Sequence, residues 1–184
     1  MAYPLLLLCG PSGAGKTTVV KLLRQLRPDL KVGVTYTTRP PRPEREDKDM
    51  CNVSLDEFQH LLDTDALVEH AEFAGHLYGT TRAELEARRE RGSVLLNLEL
   101  VGCKQVKERY PDAITIFLAP SSLEVLKKRI RERGDYDEND IAQRLARASA
   151  DWSQAGWFDH QIINPDGHPE VAAHALATFL DEKP

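Results

Sequence analysis

The chain has 184 residues, of which 41% are hydrophobic and 29% are charged, as is typical of one globular domain with a substantial core. Its formal net charge of −5 argues against a general nucleic-acid binder. The three cysteines, Cys9, Cys51 and Cys103, form no CxxC pair and the histidines show no metal-ligand spacing, so we expect reduced thiols and no zinc site.

Four apolar runs are predicted as strands, and four helical stretches alternate with them. The strands span residues 3–9, 93–98, 113–118 and 160–163, and the helices span residues 17–26, 101–109, 121–133 and 170–180. This alternation predicts an α/β fold with a parallel sheet flanked by helices. The first apolar run, residues 5–9, is too short to cross a membrane and lacks the basic start of a signal peptide, so we expect a cytoplasmic protein.

Residues 10–17 read GPSGAGKT and match the phosphate-loop pattern G-x-x-x-x-G-K-[ST] in full. They lie between the first predicted strand and the first predicted helix, which is the context that such a loop requires. Glycines let successive backbone N–H groups face an anion, and the helix N-terminus adds positive potential. Lys16 is expected to reach the outer phosphates of a nucleoside triphosphate, and the Thr17 hydroxyl to hold Mg²⁺. The alternative is a glycine-rich loop that only turns the chain.

Two segments interrupt the alternation of strands and helices. Residues 33–92 begin with a Pro/Arg-rich stretch and end in a charged helical run over 82–91, and residues 130–150 are rich in Arg, Asp and Glu. We interpret both as subdomains inserted into a core formed by residues 1–32, 93–129 and 151–184. Phosphoryl transfer requires water to be excluded, and two movable insertions, one carrying the acceptor and one closing over the donor as a lid, would achieve this.

Several separated motifs together resemble the guanylate kinase family over nearly the whole chain. They are GPSGAGKTT at 10–18, TTRPPR at 37–42, VSLDEF at 53–58, EHAEFAG at 69–75, LYGT at 77–80, KRIRERG at 128–134, QRL at 143–145 and IIN at 162–164. The phosphate loop is common to many families, whereas its combination with the second and fifth motifs is specific. The resemblance implies a P-loop NTPase-type fold with a monophosphate-binding subdomain and a lid. It also implies ATP-dependent transfer to a nucleoside monophosphate, most directly GMP or dGMP, with Mg²⁺, no nucleic-acid or membrane partner, and a monomer or homodimer.

The resemblance assigns roles to matched positions. Those implied to bind ATP are Gly10, Pro11, Ser12, Gly13, Ala14, Gly15, Lys16, Thr17, Thr18 and Asn164. Those implied to bind the acceptor are Thr35, Arg39, Arg42, Glu69, Tyr78, Gly79, Thr80 and Asn97. The implied catalytic residues are Lys16, Arg39, Arg129, Arg133 and Arg144, and the implied metal neighbours are Thr17 and Glu99.

The chemistry of these residue types fits the implied roles. Arginine meets phosphate oxygens in pairs, so Arg39 and Arg42, together with Tyr78, would hold the acceptor phosphate. Glu69 would accept from the guanine N1–H and amino group, with hydroxyl contacts from Thr35 and Thr80. The arginines of the lid would neutralise charge that develops on the transferring phosphate. The alternatives are solvated surface arginines, a tyrosine that only packs a turn, and a charged helix face in the lid.

Two departures from the family pattern affect the acceptor half. Met50 stands where family members carry a tyrosine that contacts the acceptor phosphate, and a thioether cannot donate a hydrogen bond. Arg45 or Lys48 could substitute. Asn97 and Glu99 replace the usual pair of aspartates near the base and the metal. A different phosphorylated acceptor, such as another nucleotide, a nucleotide analogue or a sugar phosphate, is therefore the second hypothesis. A non-catalytic guanylate-kinase-like binding module is the third, although such modules commonly lack an intact phosphate loop.

Overall fold

The computed structural model describes residues 3–41, 48–132 and 138–182, apart from the side chains of residues 138–140. The strands are β1 Leu5–Cys9, β2 Lys31–Val32, β3 Thr35–Thr37, β4 Met50–Asn52, β5 Leu67–Phe73, β6 His76–Thr81, β7 Val94–Asn97, β8 Ile114–Pro120 and β9 His160–Asn164. The helices are α1 Lys16–Leu26, α2 Leu55–Asp63, α3 Arg82–Arg89, α4 Leu100–Arg109, α5 Leu123–Glu132, α6 Glu138–Ser153 and α7 Pro169–Asp181. The predicted α/β fold is confirmed, and each predicted strand and helix is present.

The chain divides into two compact units. The first unit comprises Met1–Leu7 and Leu30–Ala113, and the second comprises Leu8–Asp29 and Ile114–Pro184. Within the described ranges, no helix has the length and apolar character needed to cross a bilayer.

The first unit contains two groups of strands. One has the order β2-β7-β1, in which β2 and β7 run parallel with Lys31 opposite Val94. The other is a four-stranded sheet of order β4-β3-β6-β5, in which β6 runs antiparallel to both β3 and β5. The fully buried Phe58 of α2 packs beside Gly79 of β6, so α2 covers one face of this sheet.

The second unit contains the strand order β1-β8-β9 and four helices. Strands β8 and β9 run parallel, from Ile116 opposite His160 to Pro120 opposite Asn164. Apolar residues fill β1 and β8 because the sheet is covered on both faces. Helix α1 packs on α7, and α5 packs on α6 through a small apolar cluster.

Candidate active site

The phosphate loop connects β1 to α1 in the second unit. Gly10 has a φ of 154°, and a Cβ there would collide with the carbonyl oxygen of Leu118, so only glycine fits. Gly15 is the N-cap of α1 with a φ of 91°, and no side chain caps the helix. The first N–H groups of α1 are therefore left without a side-chain cap, and this is the arrangement that attracts a phosphate.

Lys16 and Thr17 occupy the first turn of α1. The Lys16 ammonium donates to the carbonyl oxygen of Gly10, so the side chain bends back over the loop. The Thr17 hydroxyl belongs to an exposed residue in the same turn. Among the described residues, no group of three or more His, Cys, Asp and Glu side chains could hold a metal ion. A single hydroxyl beside a phosphate site is the kind of donor set that suits Mg²⁺, which keeps several waters and takes phosphate oxygens as ligands.

Asn164 ends β9 and lies against the phosphate loop. Its side chain is 2% exposed, and its Nδ2 donates to the Ala14 carbonyl at 2.6 Å. In the described part of the chain, no group donates to its Oδ1. A Cβ on Gly15 would collide with the Asn164 amide, so glycine is also needed here for close packing. Asn164, together with Arg129 and Asp166, lines a cleft of about 230 Å³ that reaches Gly15 and Thr18.

Arg129 of α5 contacts the same loop. Its guanidinium donates to the carbonyls of Ala14 at 3.4 Å and Pro165 at 2.9 Å, and its Nε donates to Asp166 at 3.2 Å. Charge neutralisation at the transferring phosphate stays a prediction for Arg129. In the structure, Arg129 links the phosphate loop to the residue that follows β9.

Arg144, a predicted catalytic arginine, lies half-buried on α6. The cluster that joins α5 to α6 consists of Leu126, Ile130 and Ala148, with Ile141, Leu145 and Trp152 packed against it. A Cβ on Gly13 would lie 3.0 Å from Leu126 and 3.1 Å from Ile130, so the loop also packs against α5. Arg133 lies outside the described residues.

One face of the four-stranded sheet carries four of the eight predicted acceptor residues. Residues paired across strands share a face, and alternate residues along a strand do so too. Glu69 pairs with Thr80, and Tyr78 pairs with Thr37, two residues beyond Thr35. The register therefore places the side chains of Thr35, Glu69, Tyr78 and Thr80 on one face.

Two further positions are located by the same register. Met50 pairs with Thr35, so the thioether stands on the acceptor face where the family pattern has a phenol. Gly79 instead faces α2, where a Cβ would lie 3.2 Å from the Phe58 ring. Gly79 thus lets Phe58 approach the sheet closely. Lys48 is exposed, whereas Arg42 and Arg45 lie outside the described residues.

Glu69 is a buried carboxylate with its own partner. It is 4% exposed, and the Thr80 hydroxyl donates to its Oε1 at 2.7 Å. Burial raises the pKa of Glu69 to about 7, the hydroxyl and backbone N–H of Thr80 oppose this rise, and the charge of Glu99 adds to it. Glu69 and Glu99 are therefore close enough to interact, and Asn97, half-buried at the end of β7, contributes no charge.

The backbone of Arg39 is fixed by residues that sequence reasoning did not single out. Its N–H donates to the buried Thr37 hydroxyl at 3.2 Å, and Asn52 donates to its carbonyl at 2.6 Å. The Thr37 hydroxyl donates in turn to the Leu77 carbonyl at 2.8 Å. No local pattern identifies Asn52, because its contact depends on the pairing of β3 with β4.

The fold and the loop define this protein as a P-loop α/β nucleotide-binding protein. A family model described as guanylate kinase matches residues 3–183. A guanylate kinase of Thermosynechococcus vestitus is 44% identical over 177 residues, which cover 95% of this chain and 93% of that protein. A guanylate kinase of Synechocystis sp. is 39% identical over 181 residues, which cover 97% of this chain and 94% of that one. The crystal structure of guanylate kinase from Anaplasma phagocytophilum matches with a TM-score of 0.76 at 28% identity, covering 99% of this chain and 86% of that chain. The chain belongs to the guanylate kinase family.

Proposed function

We propose that this protein phosphorylates GMP with ATP, so that the terminal phosphoryl group of ATP passes to the GMP phosphate and gives GDP and ADP. dGMP is the second acceptor of the same kind. Family membership and the complete phosphate loop support the activity. The observation that carries the acceptor is the buried Glu69 carboxylate, held by Thr80 on the sheet face that also carries Thr35 and Tyr78.

On the donor side, the backbone N–H groups of residues 10–18 cradle the ATP phosphates, apart from Pro11, which has no N–H to donate. Lys16 would have to leave the Gly10 carbonyl to reach the outer phosphates, which its flexible stem permits. The Thr17 hydroxyl would hold Mg²⁺, which would supply charge that offsets the phosphates. The cleft beside Asn164 and Arg129 is open next to the loop, and we assign it to the rest of the donor nucleotide.

On the acceptor side, Glu69 selects the base. Guanine presents two adjacent donors, N1–H and the amino group, and one ionised carboxylate accepts both. Adenine presents an amino group beside an unprotonated nitrogen, so it would leave a buried carboxylate oxygen without a donor. Thr35 and Thr80 add hydroxyl contacts, and Asn97 offers an amide at the end of β7.

The acceptor phosphate is assigned to Arg39, Arg42 and Tyr78. Its oxygen is already a competent nucleophile, so the site needs no side-chain base. Catalysis then follows from alignment of the two phosphates and from charge neutralisation by Lys16 and the arginines at 129, 133 and 144. We retain the subdomain boundaries of 33–92 and 130–150, whose closure would exclude water. A cytoplasmic monomer or homodimer stays a prediction.

A second acceptor class is favoured by one observation. Met50 pairs with Thr35 on the acceptor face, and its thioether cannot donate to a phosphate. A smaller or differently shaped phosphate monoester, such as another nucleotide or a sugar phosphate, would suit an edited pocket of this kind. The complete phosphate loop argues against a non-catalytic binding module.

A panel of acceptors tests the proposed function. ATP-dependent turnover is measured with GMP, dGMP, AMP, CMP, UMP and a few sugar phosphates. GMP should be accepted and AMP should be poor. Lys16→Ala is the control, because it should abolish turnover while the unfolding midpoint stays unchanged. Inert GMP together with rapid turnover of another phosphate monoester would replace GMP by that acceptor, and Met50→Tyr should then raise GMP turnover, because it restores a hydrogen-bond donor to the acceptor phosphate.

A further inference from the structure

Three residues of α4 form a stripe that contacts β5. Gly102, Gln105 and Arg109 are spaced at i, i+3 and i+7, so they lie on one face of the helix. Gly102 faces the Glu69 carboxylate, Gln105 binds the backbone of His70, and Arg109 donates to the Leu67 carbonyl at 3.0 Å. None of the three carries a role in the function proposed above.

Gln105 closes the open edge of β5. Among the described residues, β5 is the last strand of its sheet, so no strand in this part of the chain pairs with its outward backbone groups. The Gln105 carboxamide accepts from the His70 N–H and donates to the His70 carbonyl, both at 2.9 Å. The Gln105 side chain thus makes the two hydrogen bonds that the backbone of a neighbouring strand would make with His70. It fixes β5 at the residue next to Glu69.

Gly102 leaves the space that the Glu69 carboxylate occupies. A Cβ on Gly102 would lie 2.5 Å from Oε2 and 3.2 Å from Cδ of Glu69. The Thr80 hydroxyl holds the other oxygen at 2.7 Å. The carboxylate therefore lies between Thr80 and the first turn of α4. Glycine is a poor helix former, so its presence at the third residue of α4 needs a local reason, and this contact supplies it.

We propose that Gly102 and Gln105 are positioning residues that fix the Glu69 carboxylate and thereby set the preference for a base with two adjacent N–H donors. The inference rests on the proposed function, since it deepens the role given there to Glu69. A misplaced carboxylate would still accept one hydrogen bond but would lose the second. Selectivity should therefore fall more than turnover does.

The test compares GMP with inosine monophosphate, which keeps N1–H and lacks the amino group. The variants are Gln105→Met, which keeps length and removes both hydrogen bonds, and Gly102→Ala. The matched controls are Gln59→Met, at an exposed glutamine of α2, and Gly156→Ala, where a Cβ meets nothing within 4 Å. We expect the ratio of kcat/KM for GMP over inosine monophosphate to fall by about tenfold in both variants and to stay unchanged in both controls. The KM for ATP should not move.

An unchanged ratio would overturn the inference, whether kcat/KM stays the same or falls equally for both nucleotides. The two residues would then have a merely structural role. Absence of GMP turnover in the wild-type protein would instead reject the proposed function. In that case an unfolding cycle still tests the positioning. Gly102→Ala should lower the guanidinium midpoint of the wild-type protein but raise it in a Glu69→Ala background, where alanine only improves the helix. The same shift in both backgrounds would show that Gly102 does not make room for Glu69.

Discussion

At the scale of single residues, Glu69 is buried, and the proposed function requires it to be ionised. A carboxylate at 4% exposure has lost most of its water, and one hydroxyl and one backbone N–H replace only part of it. This is why the pKa of Glu69 rises to about 7 from an ordinary value of 4.5. A bound guanine would supply two further donors, which favour the ionised form. Burial therefore opposes the ionised form of Glu69 that two such donors would favour.

The raised pKa makes the stability of the unliganded protein depend on pH. Between about pH 4.5 and pH 7 the native state holds the Glu69 proton more tightly than the unfolded state does. The contribution of Glu69 to the free energy of unfolding therefore falls as the pH rises through this window, by at most about 1.4 kcal/mol per pH unit, and this contribution is level on either side. Guanidinium unfolding at pH 4, 5, 6, 7 and 8 measures the slope.

The slope should disappear in Glu69→Gln, which cannot ionise. Glu72→Gln is the matched control, because Glu72 is an exposed carboxylate on the same strand and should leave the slope as it is. A wild-type profile that Glu69→Gln leaves unchanged would contradict a shifted Glu69. Added GMP should flatten the same profile by favouring the ionised carboxylate.

At the scale of helices and strands, the apolar core elements could be predicted from the sequence. The four-stranded sheet β4-β3-β6-β5 could not. Strand β1 is a run of five buried apolar residues, and such runs are visible without any partner. Strands β3 and β5 instead mix Thr, Tyr, Glu and His with apolar residues. This mixture hides the regular alternation of apolar and polar residues by which a strand is recognised in a sequence.

The candidate site follows a similar division. The phosphate loop and Glu69 could be found from the sequence because their patterns are local or match a family motif. Asn52, Gly102 and Gln105 could not, since each acts through a residue that only the pairing of strands or the packing of α4 brings near. Gly102 gave a signal in the sequence, because it is a glycine inside the predicted helix 101–109, but that signal does not indicate which residue it contacts.

Helix α6 should carry an arginine that acts in catalysis. Arg144 is half-buried on α6, whereas Arg147 is exposed one turn further on. If Arg144 neutralises charge on the transferring phosphoryl group, Arg144→Ala should lower kcat at least about a hundredfold, comparable to loss of one well-placed charge partner. The KM for GMP should change little. Steady-state kinetics of Arg144→Ala and of the control Arg147→Ala measure this, and a loss of only a few-fold in the first would assign Arg144 to the surface.

At the scale of the whole molecule, the residues to which the proposed function gives a role are divided between the two units. The phosphate loop, Arg129, Arg144 and Asn164 belong to the second unit, and Thr35, Arg39, Glu69 and Tyr78 belong to the first. The proposed function therefore gives each unit its own set of residues for one nucleotide. Transfer requires the two nucleotides to meet without water, because ATP would otherwise be hydrolysed.

This division predicts closure when both nucleotides are present. Residues 33–92 and 130–150 should gain protection from hydrogen exchange on binding of a bisubstrate analogue that joins adenosine to guanosine through a phosphate chain. ATP alone or GMP alone should protect only the residues of its own unit, so the gain with the joined molecule should exceed the sum of the two. Lys16→Ala provides the control, because it weakens the donor end and should leave only the pattern seen with GMP. Exchange profiles that are identical with and without the analogue would contradict a moving lid, because closure of these residues over the nucleotides would protect some of their amides.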